Sequence, residues 1–199
     1  MTVRLAVLLS GTGRTLQNFV REIEAGRLDA RIQIVVASNA RSFNAEAVRQ
    51  AGVPVEFVER RRYESVEAFS EAITAVLDRH EIDLVVQAGL LQKYLFPERL
   101  KGRVLNVHPA LLPKFGGQGM YGHHVHEAVL ASGDTESGCT VHITDEEYDH
   151  GPIVLQRRVP VLPGDTPETL AERVFEAECE AYPEAVRLLA GRLGPASVG

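Results

Sequence analysis

An amide and an imidazole stand two positions apart in Val104-Leu105-Asn106-Val107-His108, a run that alternates and then stops at Pro109. Residues i and i+2 of a strand share a face, so Asn106 and His108 point one way and Leu105 and Val107 the other. Proline cannot donate to a β-ladder and ends the strand. A carboxamide supplies a fixed N–H donor, and an imidazole titrates near neutral pH and, once protonated, stabilises an oxyanion. These are the parts needed to pass an acyl group between two amines. A covalent step would need an activated nucleophile, and neither Cys139 nor Cys179 lies in a pattern that suggests one. The loop Asp145-Glu146-Glu147-Tyr148-Asp149-His150-Gly151 offers four carboxylates, and one placed beside His108 would raise its pKa and keep it charged for longer. Taken alone, the Asn-x-His pair also fits a capping arrangement, and the acidic loop a solvated turn.

A second candidate is SGTGRTL, residues 10–16, between an apolar run and a helix-like segment. Glycines there let backbone N–H groups and a helix dipole meet a phosphate on Gly13-Arg14-Thr15; a plain strand-to-helix turn is the other reading. A dinucleotide fits less well. Leu16 stands near the place of the third glycine, and Asn39 follows the second strand where a ribose-binding carboxylate is wanted. A monophosphate ester suits the loop better. Two further clusters have ordinary readings. His123, His124 and His126 lack a cysteine or carboxylate at ligand spacing and read as hydrogen-bonding groups near a helix start. Arg60-Arg61-Arg62 could meet an anionic tail of a ligand, although a solvated surface cluster accounts for it as well.

Alternating elements position these groups. Apolar runs at 3–9, 32–38, 53–59, 82–89 and 103–108 read as strands, and 16–26, 43–51 and 65–80 as helices. That rhythm predicts an α/β fold, a mostly parallel twisted sheet with helices on both faces. A short helix near 125–132 follows, then runs at 138–144 and 152–162 that flank the acidic loop and predict an antiparallel strand pair. Residues 166–193 read as a helix capped by Thr166 and bent or broken at Pro183, with a frayed tail after it. In an open α/β sheet, ligands bind at the carboxyl ends of strands, where both the glycine loop and His108 fall.

The 199 residues carry a net charge of −6 and only two cysteines. The acidic balance speaks against nucleic acid, the cysteine usage fits a reducing cytoplasm, and the opening apolar run is too short to span a membrane. The expectation is one cytoplasmic domain over 1–199, with a phosphate-binding half to about residue 100 and a catalytic half over about 101–192. A homodimer is compatible with it.

Together, VLLSGTGRTLQN, VVQAGLLQKYL, VLNVHPALLPKF, TVHITDEEYDHGPIVLQ and VPVLPGDTPETLAERV resemble the phosphoribosylglycinamide formyltransferase family, folate-dependent enzymes of purine synthesis, from about residue 3 to about residue 190. The resemblance implies a formyltransferase-type fold and formyl transfer from 10-formyltetrahydrofolate, a co-substrate, to glycinamide ribonucleotide, with no metal. It implies Asn106, His108 and Asp149 as the catalytic trio, with His142 nearby. It implies Gly13, Arg14, Thr15, Leu16, Gln17 and Glu178 for the ribonucleotide, and Leu91, Gln92, Lys93, Tyr94 and Asn106 for the folate. This chain departs from the family pattern at Gly-Arg-Thr in the phosphate loop, at Leu-Gln-Lys-Tyr in the folate stretch, at Val66 where an arginine is usual, and in the longer GGQGMYGHH segment. The rivals are a formyltetrahydrofolate hydrolase, a methionyl-tRNA formyltransferase, a phosphate-ligand sensor on the same fold and a nicotinamide oxidoreductase. The short acidic chain argues against the second, the intact trio against the third, and Leu16 with Asn39 against the last.

Overall fold

The structure is a computed structural model and describes residues 2–41 and 52–192. Its strands are β1 (Val3–Leu9), β2 (Ala30–Ala37), β3 (Val55–Phe57), β4 (Leu84–Gln87), β5 (Val104–His108), β6 (Glu136–Ile143) and β7 (Ile153–Pro160). Its α-helices are α1 (Arg14–Glu24), α2 (Val66–Leu77), α3 (His123–Ser132) and α4 (Pro167–Ala190). The helix expected at 43–51 lies outside the described residues. The strands form a seven-stranded sheet in the order β3-β2-β1-β4-β5-β6-β7. Pairing is parallel for β1 with β2 and β4 and for β2 with β3, and antiparallel for β6 with β7.

Contacts divide the chain into two compact units, residues up to Leu105 together with those from Ala190, and Asn106–Leu189. In the first, Leu5, Ala6, Val7, Leu8 and Leu9 are fully buried. That is the signature of a parallel strand covered on both sides rather than of an alternating one. Ala6 and Leu8 meet Ile34, Val36 and Val85 in a cluster closed by Phe69, Ile73, Val76 and Leu77 of α2. Ser65 caps α2 by accepting the Ala68 N–H at 3.1 Å.

The second unit begins at Asn106, midway along β5. After β5, the chain is stapled by Thr140 of β6. Its hydroxyl donates to the Ala110 carbonyl at 2.7 Å and accepts the Leu112 N–H at 3.0 Å. The Gln156 amide of β7 donates to Leu112 O and to Thr140 Oγ1, each at 2.9 Å. Thr166 caps α4, accepting the Thr169 N–H at 3.3 Å while its own N–H meets Thr169 Oγ1 at 2.9 Å. Pro183 does not break this helix, which runs on to Ala190. Its missing N–H weakens one turn, but Ala181, Tyr182, Pro183, Ala185 and Val186 are all buried there, and that apolar contact holds the helix through the proline.

His126, on α3, is 4% exposed, and its Nδ1 is buried with no hydrogen-bond partner. Burial, and then the charges of His123 and His108, push its pKa down to about 4. An unfolded chain takes up this proton near pH 6.5. Between those values the unfolded state binds the proton that the fold refuses, so stability falls as pH drops from 6.5 towards 4, by about 3 kcal/mol in all. Urea midpoints measured between pH 7.5 and 4.5 should decline accordingly, and less steeply in His126→Leu. Equal slopes in the two proteins would contradict this account. No helix among the described residues is long and apolar enough to cross a membrane.

Candidate active site

Asn106 and His108 lie on one face of β5, as the alternation requires. His108 is buried and Asn106 half-buried. The Asn106 Nδ2 donates to His142 Nε2 at 3.2 Å and more weakly to Asp149 Oδ1 at 3.4 Å. His142 is buried on β6, with its Nδ1 3.2 Å from the Ile143 carbonyl and its Nε2 3.7 Å from Asp149 Oδ1. The His108 Nε2 is 2.7 Å from the Phe115 carbonyl, and its Nδ1 is 3.3 Å from Asp149 Oδ2. The same Asp149 oxygen accepts the Gly117 N–H at 3.0 Å. Amide, imidazole and carboxylate therefore form one connected group within the second unit, with His142 as a fourth member.

Two backbones bend to make it. Phe115 and Asp149 have φ of 59° and 54°, the left-handed region that side chains other than glycine disfavour by roughly 1–2 kcal/mol. The first turns a carbonyl onto His108 and the second aims a carboxylate at it. At Gly116 an added Cβ would sit 2.5 Å from Leu112 Cδ2 and 3.2 Å from Asp149 Cβ, so the Leu112 side chain would have to shift to admit it. Sequence reasoning missed Phe115 and Gly117, since a backbone carbonyl and amide have no residue signature. The Gly116-Gly117 pair was the one signal available.

The electrostatics revise one expectation. Burial pulls the His108 pKa down, while Asp149 and the Phe115 carbonyl act upward, and the net direction is downward. Asp149 favours the imidazolium as expected, but desolvation outweighs it. A carbonyl only accepts, so Nε2 bears the hydrogen in the neutral ring and the Nδ1 lone pair faces the carboxylate. Protonation turns that apposition into an ion pair. Burial alone would push the Asp149 carboxyl up, but His142, His108 and the Gly117 N–H hold it below the usual carboxylate range. The site thus holds a carboxylate beside a buried imidazole whose Nδ1 faces it.

In the first unit, Gly13 is the N-cap of α1 at φ 86°, a left-handed turn suited to glycine. Arg14 is exposed, Thr15 and Gln17 are half-buried, and the first-turn amides have no intrahelical acceptor. Leu16 is 1% exposed, so its side chain belongs to the core and its backbone is the part available to a ligand. Gln92 is engaged rather than outward-facing. Its Oε1 accepts from the Ser10 hydroxyl at 3.0 Å and the Ser38 hydroxyl at 2.9 Å, while the Leu91 N–H donates to Ser10 Oγ at 3.0 Å. Tyr94 has its ring in the core and its hydroxyl 2.9 Å from Thr74 Oγ1, which leaves its backbone to a ligand. Leu91 is exposed and Lys93 half-buried.

Glu178 lies half-buried on α4, where its charge helps, after burial, to raise the Cys139 thiol to about 12. Arg61 and Arg62 pair with the buried Glu59, and Arg60 sits over the Phe69 ring, so this cluster serves the fold. His124 lies 3.4 Å from Glu127 and His123 3.7 Å from Glu168. Among the described residues no group of three metal-ligating side chains is arranged to hold an ion.

A family model described as formyl transferase matches residues 3–186. The chain belongs to the formyl transferase family. Among family structures it is similar to glycinamide ribonucleotide transformylase 1 from Symbiobacterium toebii, with 36% identity, a TM-score of 0.88 and coverage of 98% of this chain and 92% of that one. Phosphoribosylglycinamide formyltransferase from Brucella melitensis gives 35% identity, a TM-score of 0.82 and 98% coverage of both chains. The chloroplastic phosphoribosylglycinamide formyltransferase of Arabidopsis thaliana is 39% identical over 92% of this chain and 64% of its own length. Trifunctional purine biosynthetic protein adenosine-3 of Gallus gallus is 38% identical over 99% of this chain, which spans only 19% of that protein.

Proposed function

We propose that this chain transfers the formyl group of 10-formyltetrahydrofolate to the amine of 5′-phosphoribosylglycinamide in purine biosynthesis. The observation that carries the reading is the Asn106–His108–Asp149 group, an amide donor and an imidazole sharing one carboxylate with no nucleophile for a covalent step. The names of its relatives supply the acceptor and the group transferred, and the sequence resemblance supplies the folate donor.

In this reading the substrate amine attacks the formyl carbon directly. A C–N bond forms to the glycinamide nitrogen, the bond from carbon to N10 of the folate breaks, and the proton lost by the amine ends on N10. Charge develops on the formyl oxygen between these events. Asn106 Nδ2 donates to that oxyanion, surrendering its long contact to Asp149, and His108 meets it as imidazolium. Asp149 stabilises the charged ring, takes the proton leaving the amine and releases it to N10 as the carbon–N10 bond breaks, so the carboxylate ends ionised as it began. The glycine loop at Gly13-Arg14-Thr15 holds the ribose phosphate through backbone N–H groups, with Leu16 and Gln17 beside it and Glu178 assigned to the amine. Leu91, Gln92 and Lys93 are assigned to the folate mainly through backbone, because the Gln92 side chain is already bound.

The test is folate turnover followed by absorbance with purified protein, with and without the ribonucleotide. Product that forms only with the ribonucleotide supports the transferase. Equal turnover without it makes the chain a formyltetrahydrofolate hydrolase, and no turnover in either case removes the proposal.

A further inference from the structure

Asp149 works from a loop closed at its base by the β6–β7 ladder, where the Ile143 N–H meets the Pro152 carbonyl at 2.9 Å. Across this loop the His150 Nδ1 donates to Asp145 Oδ2 at 2.8 Å. The other oxygen of the same carboxylate accepts the Glu147 N–H at 2.9 Å. One side chain therefore ties the residue after Asp149 back to the start of the loop and turns the chain between them. On its far side His150 is followed by Gly151, which is buried against the Ile143 carbonyl. We propose that His150 and Asp145 form a clasp that holds Asp149 in its left-handed conformation against His108, making both of them positioning residues for formyl transfer. The inference rests on the functional reading above.

A solvated turn would not need this arrangement. A non-glycine residue at φ 54° relaxes toward ordinary conformations unless its neighbours hold it, and the clasp fixes the neighbour on one side. The His150 side chain is 65% exposed and so touches the chemistry only through the backbone it holds. The charged groups that face it are Asp145 and Glu147, and His142 in turn acts on Asp145. The hydrogen bond to Asp145, then the charges of Asp145 and Glu147, raise the His150 pKa above its ordinary value, so the charged form of the clasp persists to higher pH.

Two readouts test the clasp: kcat with KM for each substrate, and the His108 titration followed by NMR of the imidazole nitrogens. His150→Ala should lower kcat by about fivefold, the scale set by an exposed ion pair, with KM unchanged. The His108 pKa should fall toward the value seen in Asp149→Asn, because a displaced carboxylate no longer favours the imidazolium. His150→Asn, which keeps an N–H near the Nδ1 position, should recover most of both effects. Asp145→Asn should match His150→Ala, and the double variant should be no worse than either. An unchanged His108 titration in folded His150→Ala, or Asn no better than Ala, overturns the clasp. If the wild-type protein transfers no formyl group, the functional reading fails, while the titration still decides whether His150 positions Asp149.

Discussion

His108→Ala should cut kcat by about a hundred- to a thousandfold, the loss expected when one oxyanion donor is removed, or about 3–4 kcal/mol of barrier. The same holds for Asn106→Ala. Both side chains meet charge that exists only while the formyl carbon is tetrahedral, so KM for the two substrates should move little. His108 is buried, and its loss leaves the Phe115 carbonyl and Asp149 short of a partner, so some stability is lost as well. Circular dichroism and a urea midpoint separate the two losses. Because the residues act on one oxygen, the double variant should fall well short of the product of the single effects. A folded His108→Ala protein that turns over at the wild-type rate would falsify the assignment.

A large stability effect falls on a residue with no side chain. A Cβ at Gly151 would lie 1.9 Å from the Ile143 carbonyl oxygen, 3.0 Å from its carbon and 3.4 Å from the Asp145 nitrogen. All three obstacles are backbone, so no rotamer change relieves them, and the β6–β7 register must open at its loop end. Gly151→Ala should therefore cost about 3 kcal/mol or more in urea unfolding. It should also lower kcat, since Asp149 lies two residues away. Gly164→Ala is the control. Gly164 has φ 83° and open space around it, so only the left-handed backbone is charged to the substitution, about 1–2 kcal/mol, with kcat unchanged. Equal costs at the two glycines would mean that the clash at Gly151 is relieved without breaking the ladder.

Much of this molecule was legible in the residues because patterning dictates it. Apolar runs marked the strands, the pair beside the acidic loop emerged as β6 and β7, and period-2 alternation put Asn106 and His108 on one face. Ends were less legible. The helix read from Leu16 begins at Arg14, since a left-handed Gly13 starts it earlier than the apolar pattern does. The break expected at Pro183 did not follow, because burial of its neighbours decides whether the helix continues, and burial is a tertiary fact. The site divides in the same way. Its titratable groups could be named from their types, whereas the Phe115 carbonyl, the Gly117 amide and the inward turn of Tyr94 depend on backbone direction. The His108 pKa ran against expectation because a sequence displays the carboxylate and hides the desolvation.

The oxygens of Ser10, Ser38 and Gln92 form a triangle whose three sides, 2.7, 3.0 and 2.9 Å, are all hydrogen-bonding distances. Each hydroxyl carries a single hydrogen, so two hydrogens serve three sides and one side always goes without. As with the protons of ice, more than one arrangement satisfies the same framework of oxygens, and a hydroxyl rotation converts one into another. The ends of β1 and β2 and the turn after β4 are thus held at fixed spacing, and of the three sides only the one between Ser10 and Ser38 can reverse its direction. A rigid frame there coexists with one hydrogen bond that has two directions open to it.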